Sequence, residues 1–313
     1  MEISIVLLFI LGIILIVKGG DWFVDSSVEL AKIFKIPPMI IGATVVSIAT
    51  TLPEATVSSL ASFKGVSTMA VGNAVGSMIC NIGLLGGIII LFSGINVKKK
   101  SIIPKAIILA SYTMLLIIFG LDSKIIFIEG MLLLSLFVSY LLYNARTVKK
   151  AKPSNEFFDD DVNDDYSLGK VMFFFAIGIV GILIGSRLLI NNGVLIASAI
   201  GVSEAIISLS FIALGTSLPE LVTVITSLKK GNTDIGIGNI IGANIFNVSL
   251  VIGASSVIGD LEIIPNNINL DFPIVVILTG ILLVPLVLTG KSTKFQGIAL
   301  IATYAVYMFL LWT

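Results

Sequence analysis

The chain has 313 residues, of which 57% are apolar and 12% charged, with a mean hydropathy of +1.11 and no histidine. Soluble domains carry about 25% charge, so this composition excludes a water-soluble fold and predicts an all-α polytopic membrane protein. The missing histidine excludes Ser-His-Asp hydrolysis and His-ligated zinc or haem, and the single Cys80 excludes an internal disulfide. Nineteen basic and nineteen acidic residues cancel, so net charge points to no nucleic-acid partner.

A bilayer core about 30 Å thick needs about 20 apolar residues per helix. Such segments occur at 3–28, 38–63, 67–95, 102–120, 125–143, 171–196, 205–228, 235–259, 273–288 and 295–312, which predicts ten transmembrane helices. The first begins with the acidic Glu2 and lacks a basic leader, so it reads as a retained span rather than a cleaved signal. With the N-terminus outside, the odd-numbered loops hold fifteen basic residues, among them Lys98, Lys99, Lys100, Lys105, Lys149, Lys150, Lys229 and Lys230. The even-numbered loops hold two, Lys64 and Lys124. This positive-inside bias predicts a multi-pass cell-membrane protein with both termini extracytoplasmic. The central segment 146–168, with Asp159, Asp160, Asp161, Asp164 and Asp165, then reads as a solvated cytoplasmic linker. It separates an N-terminal unit, 1–145, from a C-terminal unit, 169–313.

Residues 19–87 align with 185–253 at a constant offset of 166, without a gap and with eighteen identities. The agreement includes polar and helix-breaking positions: Thr50/Thr216, Pro53/Pro219, Glu54/Glu220, Asn73/Asn239 and Asn81/Asn247, with Gly72/Gly238 and Gly76/Gly242. Each unit holds five spans, an odd number, so the second copy enters the membrane inverted relative to the first. Two inverted five-helix repeats are a signature of secondary transporters, whose site lies near the midplane where the copies meet.

Glu54 and Glu220 are the two acids that this reading places deep within spans, where an ionisable side chain marks function by default. Ser47, Thr50, Thr51 and Glu54 recur at i, i+3, i+4 and i+7, an oxygen-bearing stripe that Ala213, Thr216, Ser217 and Glu220 repeat. Pro53 and Pro219 lack the N–H that would satisfy the carbonyls of Ala49 and Gly215, which predicts broken helices with free oxygens. On the third and eighth helices, Asn73, Ser77 and Asn81 share a face, as do Asn239, Ala243 and Asn247. Gly72, Gly76, Gly238 and Gly242 read as packing positions, Cys80 as packing, and Asn73 and Asn239 as equally suited to structural bonding or a direct role. Carboxylates, hydroxyls, amides and carbonyls suit calcium and sodium, and no resident cofactor is called for.

The segments Ala49-Thr-Thr-Leu-Pro-Glu54 with Gly76-Ser-Met-Ile-Cys-Asn81, and Gly215-Thr-Ser-Leu-Pro-Glu220 with Gly242-Ala-Asn-Ile-Phe-Asn247, resemble the paired alpha-repeats of the sodium/calcium exchangers. These belong to the cation/calcium antiporter superfamily, and the similarity is greatest to its archaeal and bacterial members. The repeats span about 38–88 and 205–254. The resemblance implies sodium/calcium antiport through one shared site by alternating access, electrogenic and independent of potassium, since position 247 is Asn. It implies that Glu54 and Glu220 bind both ions, with Thr50, Thr51, Ser77, Thr216 and Ser217 as hydroxyl or backbone ligands. Ser47 and Ala213 would add carbonyls, Asn81 and Asn247 would complete the centre, and the long first and sixth helices would slide across the rest. Three positions depart from the motifs. Ala49 and Thr51 replace the usual Gly and Ser, and Ala243 replaces a serine whose hydroxyl would serve sodium.

The expected partners are calcium, sodium and the lipid bilayer, with the single chain as the working unit. The alternative in the same superfamily is a proton/calcium antiporter, and in another class a passive cation channel. An enzyme is not expected, because neither a histidine nor a pair of buried aspartates is present to activate a nucleophile or water.

Overall fold

The computed structural model describes residues 3–150, 167–200 and 215–312. Among them run ten helices: α1 (Ile3–Ile33), α2 (Pro38–Phe63), α3 (Ser67–Ser93), α4 (Lys99–Gly120), α5 (Phe127–Lys150), α6 (Leu168–Ala199), α7 (Leu218–Lys229), α8 (Thr233–Ile258), α9 (Asn267–Thr289) and α10 (Lys294–Trp312). Nine are long and apolar enough to cross a membrane; α7 is the exception, at 12 described residues. The expected bounds hold within a few residues for most spans. The helix α5 continues through Lys150, past the end expected from hydropathy, because Asn144, Arg146 and Thr147 lie on an amphipathic final turn rather than in a linker. The acidic run from Asp159 to Asp165 lies outside the described residues.

The helices pair as the repeat requires. The two longest, α1 and α6, lie antiparallel along a glycine seam. A β-carbon on Gly12 would lie 2.9 Å from the Gly185 carbonyl oxygen, and one on Gly19 would lie 2.8 Å from that of Gly178. Gly12 and Gly178, like Gly19 and Gly185, are separated by 166 residues, so each contact is the mirror of the other. The same exchange joins α3 to α10, where Gly87 faces Gly297 and Ile301, and α8 to α5, where Gly253 faces Leu133 and Leu134. The helices α4 and α9 meet each other across the pseudo-twofold axis. Such reciprocal contacts are those of a self-complementary twofold interface, here closed within one chain.

Loops sort onto two faces. On the odd-loop face, Asn96 bridges Lys291, Val97 N donates to Gly290 O at 2.8 Å, and Lys99 bonds Leu288 O. On the even-loop face, a two-stranded ladder joins β1 (Lys124–Ile125) to β2 (Leu261–Glu262), and Ser62 Oγ donates to Ser255 O at 2.7 Å. Lys124 Nζ lies 2.6 Å from Asp260 Oδ2, an exposed pair of the kind worth little in water.

The main core fills the space between α3, α4, α8 and α9, and a second cluster packs Phe23, Leu30 and Ala31 of α1 and Phe175 and Ile182 of α6 against Ile41, Val46, Val222 and Ile235. Lys105 corrects the sequence reading. It was expected in a cytoplasmic loop, but sits in the second turn of α4 at 4% exposure, its ammonium donating to Ser101 O at 3.4 Å. A long lysine stem satisfies hydrophobic packing while its head reaches back toward the helix end.

The seam predicts a contrast in stability. Gly19→Ala should lower the thermal unfolding temperature in detergent, at a cost of about 1–3 kcal/mol for overpacking against backbone. Gly280→Ala, with no described atom within 4 Å of the added carbon, should be neutral or gain about 0.5–1 kcal/mol from helix propensity. Equal shifts for the two would show that the α1–α6 contact is not backbone-limited.

Candidate functional site

The site is assembled by α2, α3, α7 and α8, two helices from each repeat. Helix α2 carries Ser47, Thr50, Thr51 and Glu54 inward on its buried face, as the i, i+3, i+4, i+7 spacing requires. All four are at most 1% exposed. Pro53 lies inside this helix, which is otherwise continuous from Ser47 to Phe63, so the Ala49 carbonyl lacks its usual donor.

Its repeat partner behaves differently. The helix is interrupted at Thr216–Ser217, α7 starts anew at Leu218, and Pro219 occupies the first turn. There its missing N–H costs nothing. The expected break therefore occurs only before α7, while α2 stays helical through its internal proline. The break also puts Glu220 in the first turn of α7, where the positive end of the helix dipole favours a carboxylate.

Helix α3 brings Ser77 to this junction, with Ser217 Oγ 3.2 Å from Ser77 Oγ. Thr51 Oγ1 reaches to 3.5 Å from Glu220 Oε1, linking the oxygen stripes of the two copies. Asn81 and Asn247 each stand at the start of a stretch of wider π-helical turns, at Cys80–Leu85 and Asn247–Ile252. Such turns shift the register of a helix and free backbone carbonyls, and they recur at functional sites. Both side chains are 1% exposed. Thr216 lies at the break beside Ser217 and also lines the cavity described below. Ala213 lies outside the described residues.

The electrostatics of this cluster are unusual. Both Glu54 carboxylate oxygens, Glu220 Oε2, Asn81 Oδ1 and Asn247 Oδ1 are buried with no hydrogen-bond partner among the described residues. Neither glutamate pairs with a cation there. Buried carboxylates are ordinarily paired or coordinated to a metal. An oxygen-only set with two carboxylates and no thiolate or imidazole is the donor chemistry of a hard cation.

The surroundings are asymmetric. On the odd-loop side, the first half of α2 docks backbone-to-backbone on α8: a β-carbon on Gly242 would lie 2.6 Å from Ala43 O, and one on Gly238 3.0 Å from Ala43 N. Tyr140 of α5 seals this contact by donating to Ala43 O at 3.1 Å. On the even-loop side, no described atom lies within 4 Å of a β-carbon on Gly72 or Gly76. Those glycines line a cavity of about 720 Å³ that runs from Pro53, Ser77 and Thr216 out past Met69 and Tyr307. Gly238 and Gly242 thus serve close packing, as expected, whereas Gly72 and Gly76 form a cavity wall.

Some polar groups escaped the sequence reading. Asp271 is a third buried acid, at 5% exposure, near the start of α9; Asn267 Nδ2 donates to it at 2.7 Å and Tyr307 Oη at 3.1 Å. Hydropathy places it outside the expected span 273–288, because Asn266, Asn267 and Asn269 mask the start of the helix. Cys80, read from the sequence as a packing residue, lines the cavity together with Tyr304. Asn73 donates to Glu54 O at 3.3 Å and to Ser58 Oγ at 2.9 Å, while Asn239 accepts from Ser47 and Thr50.

Comparison with known proteins agrees with this architecture. The family described as sodium/calcium exchanger protein matches residues 4–146 and 170–313. An uncharacterized membrane protein of Methanocaldococcus jannaschii, MJ0091, is 34% identical over 298 residues, 95% of each chain. The sodium/calcium exchanger MaX1 of Methanosarcina acetivorans is 26% identical, with 97% of each chain covered. A solved structure of the sodium-calcium exchanger NCX_Mj, soaked with 10 mM Na+ and 10 mM Sr2+, superposes with a TM-score of 0.87 at 31% identity, covering 99% of each chain. The family match spans both halves of the inverted repeat, including each glutamate and its proline, and the chain belongs to the sodium/calcium exchanger protein family.

Proposed function

We infer that the chain is a multi-pass membrane antiporter that exchanges sodium for calcium at one site between its two repeats. The observation that carries this reading is the pair of fully buried glutamates, Glu54 and Glu220, on mirrored helices with no cation to pair with among the described residues. Their charge of −2 matches one calcium ion, or is matched and exceeded by several sodium ions that take its place. Competition for the same two carboxylates couples the ions: the site is neutralised by one cargo or the other, and an empty site leaves two charges in a low dielectric.

Around the glutamates, Thr50, Thr51, Ser77, Thr216, Ser217, Asn81 and Asn247 supply neutral oxygens. The carbonyls of Ser47 and Ala213 extend the set at the ends of the two stripes. Calcium takes six to eight oxygens in flexible geometry, which a mixed set of this kind provides. With Asn rather than an acid at position 247, the charge count leaves no role for potassium. When more than two sodium ions replace one calcium, net charge moves and the exchange is electrogenic. The site binds and releases ions without making or breaking bonds, so the chain is read as a carrier and not an enzyme, with no resident cofactor. Both stripes come from one chain, which makes the monomer in its bilayer the working unit.

Alternating access follows from the asymmetry of two related halves. The docked α2–α8 contact closes the odd-loop side while the cavity leads out on the even-loop side. Exchanging the conformations of the repeats would close the second route and open the first. Lysine and arginine crowd the odd loops, so that face is assigned to the cytoplasm and both termini to the outside.

Three experiments test this reading. In proteoliposomes of the purified chain, an outward sodium gradient should drive uptake of radioactive calcium, with no need for potassium. Uptake driven by a pH gradient and indifferent to sodium would identify proton/calcium exchange, and flux without any counter-ion would identify a channel. Glu54→Gln and Glu220→Gln should each reduce calcium transport at least about a hundredfold while leaving the unfolding temperature unchanged or higher, since each removes an unpaired buried charge. Transport near the wild-type rate in either variant would misplace the site. Ala243→Ser would give α8 the hydroxyl that Ser77 gives α3, and should lower the sodium concentration for half-maximal exchange several-fold. An unaltered sodium dependence would mean that position 243 faces no sodium ion.

A further inference from the structure

Asn239 is fully buried on α8, one turn before the positions that face the glutamates, and its amide oxygen points across the repeat boundary to α2. Ser47 Oγ and Thr50 Oγ1 lie 3.1 and 3.2 Å from Asn239 Oδ1. The other acceptors near these hydroxyls are backbone carbonyls, Gly42 O at 2.7 Å and Asn239 O at 3.1 Å from Ser47 and Ser47 O at 3.4 Å from Thr50, and the Glu220 carboxylate, which competes with Asn239 for the Thr50 hydrogen. A hydroxyl has one hydrogen and two lone pairs. It ligates a cation only when that hydrogen is directed elsewhere, because a hydrogen turned toward the ion repels it.

The geometry points to Asn239 as a positioning residue for cation binding: its Oδ1 takes up the hydroxyl hydrogen of Thr50, with that of Ser47 held on the same side, and leaves Thr50 as an acceptor-only oxygen. This deepens the exchange reading above and rests on it. The arrangement depends on small residues. Gly238 and Gly242 flank Asn239 one residue before and three after, and a β-carbon at either would push α2 off α8 and carry Thr50 out of reach. The repeat partner, Asn73, bonds the other way, donating to Glu54 O and Ser58 Oγ within its own copy. The acceptor function is therefore particular to Asn239 in this conformation and is not a generic property of the repeated Gly-Asn pair.

Calorimetric calcium titration of the full-length chain in detergent, read beside sodium-driven flux, tests the inference. Asn239→Leu keeps the volume and removes the acceptor, and should weaken calcium binding about tenfold, with maximal flux reduced less than affinity. Asn239→Asp keeps an oxygen at the same place and should bind calcium at least as tightly as the wild type. Thr50→Val should weaken binding to a similar degree, and adding Asn239→Leu to it should cost no more than about a further twofold, because both act through one hydroxyl. Unchanged binding in Asn239→Leu would overturn the inference, and so would effects that multiply in the double variant. Equal loss in the Leu and Asp variants, with lowered unfolding temperatures in both, would reduce Asn239 to a structural residue and equally overturn it. If Asn239→Leu does not fold, Asn239→Ala replaces it in the same cycle. A wild type that binds calcium without exchanging sodium would fail the exchange reading and leave this one standing.

Discussion

Two carboxylates buried without a counter-charge set the terms for the rest of this molecule. Moving an ionised carboxylate from water into a protein interior costs several kcal/mol even after relaxation, and the pair also repel one another. A fold that keeps both Glu54 and Glu220 at 1% exposure has to offset that cost with a bound cation or a bound proton. Each local irregularity lies where it can lower it. The break before α7 turns a helix N-terminus toward Glu220, Pro53 strips the Ala49 carbonyl of its donor beside Glu54, and the π-turns bring Asn81 and Asn247 to the same level. Regular α-helices would satisfy their own carbonyls and offer an ion only side chains. Here irregular backbone in the membrane is tolerated because it is buried in protein or lines a cavity.

The inverted repeat supplies two of everything, and function lies in how the copies differ. The pairs Gly72/Gly238, Gly76/Gly242 and Asn73/Asn239 are identical in sequence, yet one set is clamped onto α2 and the other lines an open cavity. Identical residues in two environments are what a two-state carrier needs, because the energies of its two conformations then remain close. Where the residues themselves differ, the balance is tilted. Ser77 bonds Ser217, but its partner position holds Ala243, which has no hydroxyl to return the contact to Thr51.

Much of this was legible in the sequence, because the strongest constraints are one-dimensional. Hydropathy locates spans, since every backbone group in lipid must be bonded within its own helix, and a constant offset of 166 exposes the repeat. The carboxylates were legible because so few charges are tolerated at that depth. What escaped depends on neighbours. Proline has one meaning inside a helix and the opposite at its first turn, and only the structure distinguishes Pro53 from Pro219. Lys105 and Asp271 sit within a turn or two of helix ends, where hydropathy cannot separate a loop residue from a buried one. Both lie beyond the stretches 19–87 and 185–253 that the repeat aligns, so the repeat did not single them out. Asn239 left both roles open because an amide declares its function only through what it faces.

The glycine seam bears on how the two states can interconvert. Contact between α1 and α6 brings backbone onto backbone at Gly12, Gly19, Gly178 and Gly185, with the side chains of Leu188 and Ile16 packed beside Gly12 and Gly185. Sliding one against the other would drive carbonyls past α-carbons at van der Waals distance, whereas their surfaces toward the core are made of side chains. The pair is therefore packed more closely against itself than against the four site helices. On the odd-loop face that boundary is tied: Lys230, just past α7, lies 2.9 Å from Asp25 and 3.4 Å from Asp21 of α1. The repeat partners of these three residues are Lys64, Asn191 and Arg187, in which no acid remains, so the tie cannot be remade on the opposite face. The two faces thus differ in how they are joined: an exposed ion pair links α1 to the end of α7 on the odd-loop face, and its repeat partners form no equivalent.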